Sequence, residues 1–338
     1  MAAGASGNGT SQARRAIYRN LPGEGDDGLY SQSWYPICLS TEVPQGKALS
    51  KPFLGGKVMV YRGEDGVARV MSAYCLHLGA DLGLGTVDGN RIRCPFHKWE
   101  YGPDGACVRT GCGDPVPKGA SLFQFPSQER WGLVWAFNGE QATWDLPSFR
   151  YPDADLYIES GALGEFNVDP WVVMCNTPDV QHIELLHGVR LEPVTPADYR
   201  WTEHGFRFDM RGVHWMNRAF DWTAGIDGTN IFFQDGPLDG RYFGFMTPMS
   251  IMRPQKSMVY YTVAVLRGDD TPAALASAQR WAREVYQLEV DFASQDMEIF
   301  SRSRFRQGIL TAQDVGLAKF MEYLRAFPRA NPAVEFIT

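Results

Sequence analysis

Cys75-Leu76-His77 and, after sixteen intervening residues, Cys94-Pro95-Phe96-His97 give this chain two short segments that each carry one thiol and one imidazole. Soft thiolates and imidazoles brought by two loops to one place are what a transition metal takes as ligands. The chain has only six cysteines and six histidines, and a second pair, His182 and His187, lies further along. Four of the six histidines thus fall in two compact constellations, and metals are the economical explanation.

Outward from the first constellation the chain reads as short β-rich runs broken by turns. Lys57 to Arg62, Ala68 to Ala73, Arg91 to Arg93 and Gly132 to Phe137 are the runs, with Glu64-Asp65-Gly66, Asp88-Gly89-Asn90 and Pro103-Asp104-Gly105 between them. This predicts a small all-β domain over residues 29–145, with both Cys/His segments at strand ends. Residues 1–28 are rich in Gly, Ala and Ser with few large apolar groups, a composition that predicts a flexible arm. Beyond the Pro- and Asp-bearing connector at Trp144 to Asp155, residues 146–338 read as mixed. A short helix follows Pro178, strands run from Gly205 to Leu266, a long helix spans Thr271 to Ser303 and a last helix spans Ala312 to Phe327. The fold class expected is α+β, an all-β domain followed by an antiparallel sheet flanked by helices.

With 338 residues, of which 44% are hydrophobic, the chain can bury a large core. A formal net charge of −7 and the lack of any basic block argue against a nucleic-acid partner, which demands a concentrated positive surface. No apolar run approaches the roughly 18 residues of a membrane span, and Met1 to Tyr30 lacks the basic-then-apolar order of a signal peptide. The expectation is a cytoplasmic protein away from membranes, whose cysteines are ligands or small buried hydrophobes.

Cys-x-His followed by Cys-x2-His is the two-loop pattern of a Rieske [2Fe–2S] centre, with two thiolates on one iron and two imidazoles on the other. Zinc also takes two Cys and two His, but its common frameworks pair the cysteines in one knuckle and the histidines on one helical turn. The stretches WYPICLS (34–40), CLHLGADLG (75–83) and RCPFHKWEYGPDGAC (93–107) resemble the Rieske domain of Rieske non-haem iron oxygenases. The respiratory branch carries an extra cysteine in each loop, where this chain has Ala80 and Phe96. Leu76 and Leu78 stand where that family commonly has Pro and Arg, and Lys98 stands for Gly, which bears on the cluster's potential. Cys107 and Cys112 read as structural or incidental.

Asn176-x2-Asp179-x2-His182-x4-His187 is the second constellation. Thr177 suits an N-cap and Pro178 the first helical position, which puts Asp179 in the first turn. At about 100° per residue a continuous helix would turn His187 about 140° away from His182. A shared metal therefore requires the helix to widen or to end between them, and Gly188 supplies the backbone freedom. The motif resembles the mononuclear iron site of the same family, in particular its monooxygenase and demethylase members with α-only subunits. That resemblance implies His182 and His187 as iron ligands, Asn176 beside the iron, and Asp179 as a bridge to a Rieske histidine of a neighbouring subunit. Cys175 departs from the family, which commonly has an acid there.

A facial triad needs one carboxylate more. On the long helix Trp281, Val285, Leu288, Phe292 and Ile299 form one apolar stripe, and Asp296 falls at its edge. Asp296 is the candidate third ligand and Asp291 the alternative, against a solvated acidic face shared with Glu284, Glu289 and Glu298. His204 and His214 have no ligand-spaced partner. His214, Trp215, Met216, Phe220, Phe232, Phe233, Phe243, Phe245 and Met246 are candidates for core or for a pocket that takes a ring-bearing molecule.

The resemblance implies an oxygenase subunit with one [2Fe–2S] cluster and one mononuclear Fe(II) per chain. It implies electrons from NAD(P)H through a separate reductase, with or without a ferredoxin, since no dinucleotide fingerprint is present. It further implies a monooxygenated small organic product, hydroxylated or O- or N-dealkylated, and a head-to-tail homotrimer that brings each cluster to a neighbour's iron. Ring cis-dihydroxylation is the alternative chemistry. An electron carrier of the Rieske ferredoxin kind is the alternative class, and it leaves residues beyond 145 without a purpose.

Overall fold

The computed structural model describes residues 21–338 except 215, 301, 303, 304 and 306–308. Three small antiparallel sheets make the first domain. β1 (Tyr30–Ser31) stands apart, and β2 (Trp34–Leu39) joins β10 (Ser127–Arg130) and β11 (Leu133–Phe137). β3 (Ala48–Phe53), β4 (Gly56–Arg62) and β5 (Ala68–Ser72) form the second sheet. β6 (Thr86–Asp88), β7 (Arg91–Arg93), β8 (Glu100–Tyr101) and β9 (Cys107–Arg109) form the third. Val58, Val60 and Val70 are fully buried, as expected of β-branched residues on the core side of pleated strands.

The second domain is one eight-stranded antiparallel sheet. It runs in the order β12 (Leu156–Phe166), β19 (Lys256–Leu266), β18 (Arg241–Arg253), β17 (Ile231–Leu238), β16 (Ala219–Asp227), β15 (Gly205–Val213), β13 (Arg190–Leu191), with β14 (Arg200–Thr202) paired to β15. Because side chains alternate along a strand, the sheet offers two different faces. Ile231, Phe233, Met246, Tyr260 and Ala264 pack with Trp34, Trp131, Leu133 and Trp135 of the first domain. The opposite face, with Phe208, Met210, Trp222, Ala224 and Phe245, packs with the helices. These are α1 (Pro170–Met174), α2 (Val180–Leu185), α3 (Pro272–Phe300) and α4 (Val315–Ala326). α3 lies along β12 and β19 and buries Trp281, Val285 and Leu288. The α+β architecture is the one the sequence predicts.

Buried polar residues stitch the two domains together. Asn230 on the β16–β17 turn donates from Nδ2 to the carbonyls of Trp34 (2.9 Å) and Met249 (2.7 Å) and accepts from Ser33 Oγ (2.6 Å). Tyr260 donates to the Ile37 carbonyl at 2.9 Å. A buried amide with three partners holds one arrangement of the chains around it, since losing any partner leaves a desolvated polar group.

The chain ends of the described region correct two expectations. Residues 1–20 of the arm lie outside the described residues, but residues 21–28 are bound. Glu24 is only 2% exposed and accepts from Ser31 N (2.9 Å) and Ser31 Oγ (2.7 Å), while its own N–H donates to Asp169 Oδ2 at 3.1 Å. The boundary at 145/146 does not separate the domains cleanly either. β20 (Arg329–Ala330) pairs with β1, and α5 (Val334–Ile337) packs its Ile337 and the neighbouring Ala333 into the first domain's core. A return from so far along the chain leaves no local signal in composition. β12 and α1 also lie where no element was expected. Among the described residues, no helix is long and apolar enough to cross a membrane.

Candidate functional site

The loop after β5 and the loop after β7 bring Cys75 to Cys94 and His77 to His97. Cys75 and Cys94 are buried, whereas His77 is exposed and His97 partly so. Each loop is closed by its own backbone: Cys75 N donates to Ala80 O (2.9 Å), Gly79 N to Cys75 O (2.8 Å) and Cys94 N to Trp99 O (2.8 Å). The two imidazoles present Nδ1 to Nδ1 at 3.1 Å. Two nitrogens bound to one metal at about 2.1 Å and near-tetrahedral angle lie roughly 3.3 Å apart, so the pair has the spacing of imidazoles sharing an iron. The thiols lie on the buried side and the imidazoles toward solvent, the asymmetry of a two-Cys, two-His [2Fe–2S] site.

Three supports of this site carried no ligand-type signal in the sequence. Tyr101 places its hydroxyl 3.1 Å from Cys75 Sγ and accepts from Leu76 N at the same distance. Trp99 stacks flat on His77, with centroids 5.0 Å apart. Gly111 lies so close under the second loop that a Cβ there would come within 1.9 Å of the His97 carbonyl oxygen. Lys98, at the family's glycine position, holds φ +61°, the left-handed region that favours Gly. It donates from Nζ to the Pro95 carbonyl at 2.8 Å across the loop. Cys107 is buried in the core beneath the site and Cys112 is exposed.

In the second constellation the helix ends between the two histidines. α2 stops at Leu185, and Gly188 takes φ +63°, so His187 leaves the helical path and folds back toward His182. The N-cap position is Asp179, without a side-chain cap, rather than Thr177. Thr177 and Pro178 instead lie in the turn that follows α1. The rings of His182 and His187 are 5.2 Å apart at 75°. From α3, Asp296 meets them: His187 Nε2 to Asp296 Oδ1 is 3.3 Å, and one donor atom from each of His182, His187 and Asp296 lies within 4.8 Å of the others. Ligands at right angles around one ion, about 2.1 Å from it, are roughly 3 Å apart, so the donor set fits a small divalent metal. Asp291 is exposed and accepts from Gln287 Nε2 at 2.7 Å, so the structure does not bring it to this site.

Both imidazoles are oriented from behind. His182 Nδ1 makes a short hydrogen bond with the Asp179 carbonyl oxygen, and His187 Nδ1 lies 3.2 Å from Gln295 Oε1. An oxygen acceptor at Nδ1 fixes the proton there and leaves the Nε2 lone pair for a metal. Phe292 packs edge-on against His187, with centroids 4.7 Å apart.

The triad opens onto an apolar cavity of roughly 1200 Å³, mouth included, between the helix-bearing face of the sheet and α3. Asn176 and Thr177 line it at the metal end. Of the aromatic candidates, Phe220, Phe232 and Phe245 line it, whereas Phe233 and Met246 face the first domain and Phe243 belongs to the core. Met216 is half exposed, and Trp215 lies outside the described residues. His214 is buried against Phe292, and burial together with Arg218 pushes its pKa down to about 4. His204 stacks on Trp144. Neither joins the converging donors.

Two expectations for α3 need correction. Ile299 is 49% exposed and leaves the apolar stripe, and Ser303 lies outside the described residues. Glu289, read with the solvated acids, is buried, lines the cavity, and accepts from Gln234 Nε2 at 3.1 Å. Seven residues before Asp296 it returns to nearly the same helical face, a spacing that could have marked it.

Residues 33–124 match the Rieske [2Fe–2S] domain model. Cholesterol 7-desaturase of Bombyx mori is 33% identical over 65% of this chain and 47% of its own length. The probable 3-ketosteroid-9-alpha-monooxygenase oxygenase component of Rhodococcus rhodochrous is 31% identical over 39% of this chain and 33% of its own length. The chain therefore spans less than half the length of these curated relatives. Pseudomonas putida CBB5 NdmA, solved with caffeine, superposes with a TM-score of 0.64 at 20% identity, over 87% of this chain and 88% of that one, a likeness of fold. Residues 33–124 therefore form a Rieske [2Fe–2S] domain, and the chain beyond it shares its sheet-and-helix fold with NdmA.

Proposed function

We propose that this chain is a terminal oxygenase subunit that monooxygenates a small, apolar, ring-bearing molecule with O2 and electrons from a separate NAD(P)H-dependent reductase, with or without a ferredoxin. The single observation that carries the reading is the convergence of His182, His187 and Asp296 at the wall of an apolar cavity. Two imidazoles and one carboxylate on one side of an ion leave the other side open for dioxygen and substrate. When bound, a [2Fe–2S] cluster on Cys75, His77, Cys94 and His97 supplies an electron store, and an Fe(II) on the triad supplies oxygen activation.

The chain's own residues do the rest. The Asp179 carbonyl and Gln295 keep the two imidazoles in the tautomer that binds metal. Phe220, Phe232 and Phe245 hold the substrate against that site and keep water from it. Asn176 borders the open side. Hydroxylation of a C–H bond is the outcome, and where that carbon bears an ether oxygen or amine nitrogen the product collapses to an aldehyde and the dealkylated molecule. Relatives named for a sterol and a ketosteroid, and a fold relative solved with caffeine, agree with ring-bearing substrates. His77, exposed beside the cluster, and Asp179, beside His182, support a head-to-tail homotrimer in which Asp179 of one subunit meets a Rieske histidine of the next. The cytoplasm is the compartment proposed.

Iron and acid-labile sulfide content, with visible and EPR spectra of anaerobically purified protein, test the reading together with substrate-dependent oxygen uptake. Three irons per chain are expected, as against two for an electron carrier. A colourless, sulfide-free protein, or one with only the cluster iron, refutes the proposal.

A further inference from the structure

The cavity wall is apolar almost throughout, yet one end carries polar groups that the metal site does not use. Glu289 on α3 and Gln234 on β17 both line it and are joined by the 3.1 Å bond from Gln234 Nε2 to Glu289 Oε1. Both are buried, and Glu289 has no salt-bridge partner among the described residues. Burial pushes its pKa up to about 8, so near neutral pH the side chain is chiefly the acid, with Oε1 accepting from Gln234 and Oε2 free to carry the proton. The acid O–H is a donor, and a buried donor left without an acceptor is costly. An acceptor oxygen is what this end of the cavity lacks.

Position gives the length of the occupant. Glu289 precedes Asp296 by seven residues on one face of α3, which is about 10 Å along the helix axis. A molecule that presents a C–H bond to the triad and reaches Glu289 is longer than a single ring. The walls between, including Phe220, Phe245 and Met210, offer only apolar contact.

We propose that Glu289, oriented by Gln234, anchors a carbonyl oxygen at the far end of a fused-ring substrate, and so decides which C–H bond lies at the metal. This rests on the oxygenase reading for the reaction, but the anchoring is a binding property that can be measured without turnover. A site built to hydrogen-bond an oxygen rejects the analogue that lacks it far more strongly than a hydrocarbon wall distinguishes two hydrocarbons.

The test is equilibrium dialysis of the metal-loaded protein against two probes of one shape, 5α-androstan-3-one and 5α-androstane. The native protein is expected to bind the ketone at least about tenfold more tightly. Glu289→Leu, which leaves an apolar group of similar size, should bring that ratio close to one, and Glu289→Gln, which keeps an N–H donor, should retain most of it. A native ratio near one, failure to bind either probe, or an unchanged ratio in Glu289→Leu overturns the inference. Failure of the oxygenase reading shows separately, as missing mononuclear iron or absent oxygen uptake in protein that still discriminates between the probes.

Discussion

Asp296 and Asp291 differ by a little over one helical turn, and that turn decides which carboxylate meets His187. Asp296→Ala should lose one iron per chain while keeping the visible spectrum of the cluster, and Asp291→Ala should keep all of its iron. Metal analysis of the two purified variants is the measurement, and the reverse pattern would remove Asp296 from the site. Gln295 touches no metal position but holds His187 through Nδ1 at 3.2 Å. Gln295→Leu removes that acceptor, and mononuclear iron affinity is expected to fall about 10–100-fold, as when other partners behind a metal-binding histidine are removed. Titration of the apo-triad with Fe(II) under anaerobic conditions reads the effect, while the cluster's EPR signal should stay unchanged.

Among the elements, the two loops that hold the first constellation depend on close approaches rather than on propensity. Gly111 is required because any Cβ would collide with the His97 carbonyl. Gly111→Ala should therefore displace the second loop and lower cluster occupancy, read as the loss of acid-labile sulfide per chain. A variant with a full complement of sulfide and an unaltered spectrum would show that the loop tolerates the push. The strands from Gly205 to Leu266 and the long helix after them were legible in the sequence, since alternation and helical periodicity repeat over many residues there. β12 was not legible. Its alternation is weak because most of its residues are only half buried at the sheet edge.

At the scale of the whole molecule, the closure of the chain's two ends carries a pH dependence. Glu24 rises from 4.5 to about 7 in the fold, chiefly by burial, with Asp169 adding to the shift and Ser31 and Arg329 opposing it. The folded state thus holds this proton more tightly than the unfolded chain does. The stability it lends is complete below about pH 4.5 and is lost as pH rises toward 7. Glu24→Gln cannot titrate, so it should exceed the native chain in stability by on the order of 2 kcal/mol at about pH 8 and match it near the acid end. Denaturant unfolding across that range is the check. On the proposed head-to-tail homotrimer, Asp179→Asn should keep both metals and the native protein's size in solution, yet lower product formation per electron consumed by about 10–100-fold. Near-normal coupling in that variant would take Asp179 out of the intersubunit route.

Residue chemistry alone named the ligand types: each Cys/His loop is a contiguous segment, and the spacing of His182 and His187 stated what the backbone had to do. Tertiary structure decided what depends on residues far apart in the chain. It brought Asp296 rather than Asp291 beside the two histidines, brought Tyr101 to Cys75, sealed the first domain with residues 329–337, and took Glu289 from an apparently solvated face into the cavity. The physical reason is that ligand identity is a property of a side chain, whereas burial and convergence belong to surfaces that exist only once the sheet and α3 have packed together.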